Sequence, residues 1–409
     1  MRVLMLCSSY PRYAADSASI FLRHLALALS RGGADIQVLA PDHSLVNKSS
    51  LDPAIRLFHF RYFPRRWQTL AYGSGILPNL RQNPWRWFQV PFFLFSMFFV
   101  LLLLCRRNRP DIIHAHWILP QGLIAICVGK ILNIPVVTTA HGGDAFSLRG
   151  GILASLKRFT LRHSRAWTAN TRTTAAEVEK LGELSAPRIV PMGVDIEQFR
   201  GPDTRVSEVT THKKFVILFV GRLVEKKGVA DLIKAFASLP ANQLSAAELR
   251  IIGDGTERSS LETLAKALNI DSRVCFLGRM PHDALPAHYA RADLFVAPSI
   301  IDRSGDTEGQ GVVLIEAMSS GLPIIAYKTG GIQDVINHGE TGFLITPRDI
   351  QGLGNAIETL LQDCGLRHRL GQEGKHHAHR NYAWEVIAQQ FLEVFSDVAK
   401  NKFGSGLTS

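Results

Sequence analysis

Short apolar runs alternate with segments of helical period along most of the chain, and this alternation restricts the fold more than any other feature of the sequence. Met1-Arg-Val-Leu-Met-Leu-Cys-Ser-Ser9 reads as a first strand, Ile20 to Arg31 repeats apolar residues at helical spacing and stops at Gly32-Gly33, and Ile36-Gln-Val-Leu-Ala40 reads as a second strand. Glycine just past the last periodic residue is a helix stop. A strand, a helix and a strand in so short a span make a βαβ unit, whose strands run the same way and so require a parallel sheet.

The pattern recurs. Asp111 to Ala115 and Pro135 to Ala140 read as strands separated by a helix from Leu119 to Leu132, and Arg188 opens another strand and turn. Arg200 to Lys214 is polar, without apolar period, and reads as a linker. Beyond it come a strand at Phe215 to Val220, helix 228–238, strand 249–252, helix 256–268, strand 274–277, helix 284–290 and strand 293–297. At 409 residues the chain exceeds one ordinary core, so the expected α/β fold is two Rossmann-like domains in tandem. Tyr382-Ala-Trp384 introduces a last helix running through Lys400.

In open α/β sheets, ligands lie outside the carboxyl ends of the strands, and three such ends carry chemistry. After Ala292 to Pro298 the chain enters the polar loop Ser299 to Thr307, then Glu308-Gly309-Gln310-Gly311-Val312-Val-Leu-Ile-Glu316-Ala-Met318. Gly309 and Gly311 remove side chains where loop meets helix, so backbone N–H groups there can approach an anion. Glu316 stands in a helix apolar nearly all round, and a buried carboxylate needs a partner or a ligand. At the end of Phe215 to Val220 stands Gly221-Arg222-Leu-Val-Glu-Lys-Lys227-Gly228, and after Pro135 to Ala140 comes His141-Gly-Gly-Asp144. An Arg-x4-Lys elsewhere would be a solvated charge cluster; at a strand end it is a clamp for developing phosphate charge.

Glu308 to Glu316 resembles the Glu-x7-Glu motif of the retaining glycosyltransferases of family 4 (glycosyl transferases group 1), and the Gly-x-Pro-Ile-Ile-Ala and Gly-Gly-Ile turns of that family follow it. The resemblance implies the GT-B fold: two Rossmann-like domains facing across a central cleft, with a C-terminal helix crossing back to the first. It implies an acceptor-binding domain at 1–200, a nucleotide-sugar-binding domain at 201–380, and a bracing helix at 381–409. It also implies that Glu308 and the amides around Gly309, Gln310, Gly311 and Val312 hold the donor sugar, that Glu316 holds the ribose, and that His141, with Asp144 beside it, contacts the donor sugar. Arg222 and Lys227 match the family's Arg and Lys, stabilising the departing diphosphate. The implied reaction moves a hexose-type sugar from a nucleoside diphosphate, with retention, to a glycan or lipid-linked acceptor in cell-surface polysaccharide or glycolipid synthesis. No Asp-x-Asp stands at a strand end, so neither a catalytic metal nor another cofactor is expected. Two departures matter: no Gly-x-Gly-x-x-Gly follows the first strand, and residues 14–19 are merely small where the family has a glycine-rich loop. An epimerase, a phosphorylase or a non-catalytic nucleotide-sugar-binding partner at the membrane would share much of this pattern.

The charge is lopsided. Residues 1–200 carry 24 Lys and Arg against 11 Asp and Glu, and the remainder 22 against 24. Segment 56–109 interleaves arginines with aromatics, and Val90 to Cys105 is apolar apart from Pro91 and Ser96. Three readings are open for that run: a core helix, a membrane-docking surface or a span. No recognisable nucleic-acid-binding motif accompanies the basic charge, so an anionic membrane surface, and not nucleic acid, is the expected partner. Five cysteines without C-x-x-C spacing point to a reduced compartment, and the opening strand is too short and weakly apolar for a signal peptide. The expected location is cytoplasmic, peripheral on the inner face of the membrane.

Overall fold

The computed structural model describes residues 1–13, 16, 18–46, 52–73, 75–147, 150–200 and 214–403. It divides into two compact units, Met1–Pro191 with Trp384–Ser409, and Met192–Ala383. Most of the expected linker at Arg200 to Lys214, and part of the small-residue stretch 14–19, lie outside the described residues.

The first unit is built on seven strands: β1 (Arg2–Leu6), β2 (Asp35–Pro41), β3 (Arg56–Phe60), β4 (Ile112–His116), β5 (Val136–Ala140), β6 (Ala166–Ala169) and β7 (Arg188–Ile189). They lie in the order β3-β2-β1-β4-β5-β6-β7, every pair parallel. Strands buried on both faces read as unbroken apolar runs, and β1 fits that rule beyond Arg2. β3 does not: Arg-Leu-Phe-His-Phe lies inside the basic stretch and is an edge strand whose first residue is exposed, where charge is tolerated and guards against stray pairing. Helix Ile20–Arg31 buries Leu22, Leu25, Ala26 and Leu29, one stripe of its surface. The final helix Trp384–Phe403 belongs to this unit and packs on it: Trp384 stacks on His24 with centroids 6.0 Å apart, and Phe391 and Phe395 close on His114 of β4. The helix expected from Leu119 starts only at Leu123, because Pro120 holds Leu119 extended at φ −130°.

The second unit holds β8 (Phe215–Val220), β9 (Ala247–Ile252), β10 (Val274–Gly278), β11 (Leu294–Ala297), β12 (Ile324–Tyr327) and β13 (Phe343–Ile345). Their order is β10-β9-β8-β11-β12-β13, again all parallel. Both sheets therefore reverse their strand order once, between β1 and β4 in the first and between β8 and β11 in the second. Loops leaving the carboxyl ends of such neighbours run to opposite faces and open a crevice between them. Helix Cys364–Tyr382 carries little apolar period and went unread in the sequence. It is held by close approach instead, since a Cβ on its Gly371 would collide with the Gly321 carbonyl oxygen.

Candidate functional site

In the second unit, strand order decides which charges meet. Gly221 and Arg222 leave β8, and a tight turn at Glu225–Lys227 ends on Gly228 at φ +63°. A side chain at Gly228 would run into the Pro298 carbonyl oxygen just past β11, so this glycine lets the lysine turn press against the neighbouring strand end. Ile300 N–H donates to the Lys226 carbonyl at 2.8 Å, joining the two loops. Both lysines consequently face the acids of the second loop. Lys227 Nζ lies 3.0 Å from Glu308 Oε1, and Lys226 Nζ lies 3.0 Å from Asp306 Oδ2 and 3.9 Å from Glu308 Oε1. Burial pushes the Glu308 pKa up, but the charges of Lys227, Lys226 and Arg222 outweigh it and hold the carboxyl below its ordinary range. Glu308 is thus a carboxylate at neutral pH, while Arg222 remains exposed.

Behind Glu308 the loop is fixed by its main chain. Gly331 N–H donates to the Glu308 carbonyl at 2.9 Å. After Gly309, Gly311 turns left-handed at φ +78° to cap the helix Val312–Ser319, which begins at Val312. Gln310 is buried, and its amide is spent on a backbone partner: Oε1 accepts from Met192 N–H at 2.8 Å and Nε2 donates to the Met192 carbonyl at 2.9 Å. Its side chain braces the loop, which leaves its main chain to face a ligand. One turn into the helix, Glu316 is 4% exposed. His282 Nε2 sits 3.0 Å from its Oε1, and the Tyr289 hydroxyl donates to its Oε2 at 2.8 Å. Burial lowers the His282 pKa, yet the hydrogen bond and charge of Glu316, helped by Asp283 and Asp195, raise it above the ordinary imidazole value. Phe199 sets its ring edge-on to both His282 and Tyr289, at 5.3 and 5.5 Å.

The first unit presents a different chemistry at the corresponding strand ends. His141 leaves β5 and opens the short helix Gly142–Phe146. Its Nε2 lies 3.1 Å from Nδ1 of His116, the last residue of β4, and its ring contacts Phe21 and Trp117 at 5.4 and 5.0 Å. Two residues back along β4, on the same face, His114 Nε2 meets Thr139 Oγ1 at 2.7 Å, and Thr139 meets Thr168 Oγ1 at 2.7 Å. Burial pushes His114 and His141 down to about 3 and His116 well below its ordinary value. All three are neutral rings at physiological pH. Asp144 accepts from Ile118 N–H at 2.7 Å through Oδ2, while its buried Oδ1 has no partner among the described residues, and burial lifts its pKa to about 7. Among the described residues, no three His, Cys, Asp or Glu side chains gather in a way that could hold a metal ion.

Comparison with known proteins bears directly on this arrangement. The family profile described as "Glycosyltransferase Family 4" matches residues 18–198, and that described as "Glycosyl transferases group 1" matches residues 202–377. The chain belongs to the family 4 glycosyltransferases. Among its curated relatives, the N-acetyl-alpha-D-glucosaminyl L-malate synthase of Bacillus anthracis is 28% identical over 346 residues, covering 81% of this chain and 86% of that protein. A GDP-mannose-dependent alpha-(1-6)-phosphatidylinositol monomannoside mannosyltransferase of Mycolicibacterium smegmatis is 30% identical over 248 residues, 59% of this chain and 62% of that one. Among solved structures, Anabaena HepE in complex with UDP-glucose shares the fold at a TM-score of 0.72 and 22% identity, covering 97% of this chain and 100% of that one.

Within this glycosyltransferase the structure gathers Arg222, Lys227, Glu308, Gly309, Gln310, Gly311, Val312 and Glu316 in the second unit, and His141 with Asp144 in the first. Four further residues escaped the sequence reading. Lys226 was masked by its neighbour Lys227, and only the turn at Gly228 shows that both point at acids. His282 and Tyr289 reach Glu316 across 34 and 27 residues of chain, a pairing that no local pattern encodes. His116 had a visible signal: two histidines at positions i and i+2 of a buried strand share one face, and buried imidazoles need partners.

Proposed function

We propose that this glycosyltransferase moves a hexose-type sugar from a nucleoside diphosphate to a glycan or lipid-linked acceptor, with retention of anomeric configuration. The observation that carries the reading is the cluster of Lys226, Lys227 and Arg222 around the ionised Glu308 at the switch point of the second sheet. When the sugar–phosphate bond breaks, negative charge grows on the departing diphosphate, and cations already in place stabilise that charge more than they stabilise the ground state. Lys227 and Arg222 take that role. Lys226, tied to Asp306, keeps the lysine turn seated on the second loop.

Glu308, held among cations, is a poor nucleophile; it accepts hydrogen bonds from sugar hydroxyls and supports positive charge developing at the sugar. The main chain from Gly309 to Val312 receives the donor under the favourable end of the helix dipole. Glu316 accepts from the ribose hydroxyls, for which His282 and Tyr289 hold its carboxylate in one orientation. His141 is a neutral ring suited to a hydroxyl group, and Asp144 anchors the turn that follows it. The diphosphate is neutralised by side chains, without a metal ion or other cofactor. The nucleotide sugar named with HepE and the phosphatidylinositol acceptor named for the mycobacterial relative support the classes of donor and acceptor. Incubation with a panel of nucleotide sugars and membrane extract, followed by product analysis, tests the reading. Release of nucleoside diphosphate with a new linkage of unchanged anomeric configuration is expected. Inverted linkage, epimerised nucleotide sugar or released sugar phosphate would overturn it.

A further inference from the structure

Helix Gln89–Asn108 settles into two stripes. One is core: Phe93, Met97, Leu101, Leu104 and Cys105 are buried against the first sheet, with Phe93 edge-on to Phe60 and Tyr62 at 5.1 Å from each. The other is bare: Phe88, Phe92, Phe95, Phe99 and Leu103 follow one another at spacings of three and four residues and are all exposed, Phe95 by 66% and Leu103 by 62%. That spacing is one face of a helix, and it runs for about 22 Å at 1.5 Å per residue. Trp85 and Trp87 extend it at one end, and Phe63 joins it sideways to Trp67. A soluble surface seldom leaves so many contiguous large apolar groups uncovered.

By length and hydropathy, the segment Pro84–Asn108 could cross a bilayer. Its inner stripe argues otherwise. Spanning would pull Phe93, Met97 and Leu101 out of the core, each worth about 1.5–3 kcal/mol of burial. It would also break the Ser96 Oγ bond to the Arg61 carbonyl and the Gln89 bonds to Trp67 and Thr69. A helix that keeps those contacts lies along the surface.

Charge selects what covers the outer stripe. Residues 56–109 hold nine arginines and no Asp or Glu. Arg56 is paired with Asp35, and Arg61 with Arg65 converge on Asp42. Arg81, on the helix Ile76–Gln82, and Arg106, Arg107 and Arg109, at the end of Gln89–Asn108, are exposed, and among the described residues no ion pair joins them to a carboxylate. Arg66 lies over the Trp67 ring at 4.8 Å. A second copy of this chain would bring the same uncompensated arginines face to face. A bilayer rich in anionic lipid offers the complementary charge, and tryptophan with arginine suits its headgroup level.

We propose that this face docks the enzyme peripherally on anionic membranes: Phe88, Phe92, Phe95, Phe99 and Leu103 enter the acyl boundary, and Arg66, Arg81, Arg106, Arg107 and Arg109 meet lipid phosphates. Sedimentation of the full chain with vesicles of phosphatidylcholine alone, or with phosphatidylglycerol added, tests it. Partitioning should rise at least tenfold with the anionic lipid, weaken in high salt without vanishing, and fall at least tenfold in the variant F95S/F99S/L103S. Those side chains are exposed, so thermal unfolding of the variant should match wild type. A second variant, R106Q/R107Q, should lose mainly the salt-sensitive part. Equal sedimentation with both vesicle types, or none at low salt, overturns the proposal. So does a stable dimer that F95S/F99S/L103S dissociates while vesicles are ignored, and so does retention of the native protein in membranes after alkaline carbonate.

Discussion

The two units repeat one sheet topology and place functional groups at equivalent strand ends, yet they handle charge in opposite ways. In the second unit, basic groups and carboxylates are paired: Lys227 with Glu308 at 3.0 Å between the loops after β8 and β11, and His282, beyond β10, with Glu316 at 3.0 Å. After β4 and β5, the titratable groups are buried and their charged forms disfavoured: His116 and His141 share a hydrogen bond, and burial lifts the Asp144 pKa to about 7. Paired charges inside a protein are costly to assemble and strongly destabilising to break singly, so they persist where a charged ligand exchanges with them. Neutral donors and acceptors suit hydroxyl groups. On the proposed function, the difference fits recognition of the diphosphate by the second unit and of uncharged sugar or acceptor groups by the first.

Removing a charge from the second unit should give the largest effect. Lys227→Ala or Arg222→Ala is expected to lower turnover by roughly 10²–10³, the scale of losing one partner of transition-state charge, with the fold intact by circular dichroism. Wild-type rates would dismiss the clamp. A smaller loss is expected for Glu316→Gln, which keeps shape and removes charge. Nucleotide affinity should fall by about 1.5–3 kcal/mol, the scale of a hydrogen bond to a charged group. Unchanged calorimetric affinity would reduce Glu316 to a structural partner of His282 and Tyr289.

The mildest effect is in pH dependence, and here the imidazoles of the two sites should diverge in sign. In the first, three imidazoles have depressed pKa values. As pH falls below about 6.5, the unfolded chain takes up protons that the folded unit refuses, and stability drops. Asp144, whose pKa is raised, acts the other way between its ordinary value and about 7, but three groups outweigh one. In the second unit His282 has a raised pKa. Its contribution is complete below the ordinary imidazole value and disappears as pH rises through the folded one. Hydrogen exchange at pH 7.5 and 5.5 should therefore show the core strands of the first unit opening more readily in acid. His282→Gln should cost the second unit most in acid and least at high pH. A penalty for His282→Gln that grows as pH rises would erase the distinction.

Much of this contrast was legible in the sequence, for definite reasons. Strands such as Phe215–Val220 are buried on both faces and announce themselves as apolar runs, and Glu308, Arg222, Lys227 and His141 follow directly from standing at their ends. What stayed hidden depends on long-range pairing. β3 hides behind the arginines that protect a sheet edge. Nothing local shows that the Gln310 side chain is spent on Met192, 118 residues away. The charge state of the histidines was equally invisible, because it is set by burial among Phe21, Trp117 and Phe391, which only the fold brings together.

Calorimetry of donor fragments tests the division of labour most directly. Nucleoside diphosphate and the intact nucleotide sugar are each titrated into wild type, Lys227→Ala and His141→Ala. If charge recognition belongs to the second unit and hydroxyl recognition to the first, Lys227→Ala weakens both ligands, whereas His141→Ala weakens the nucleotide sugar and leaves the nucleoside diphosphate unchanged. Loss of nucleoside diphosphate binding in His141→Ala to the same degree as in Lys227→Ala would contradict the account.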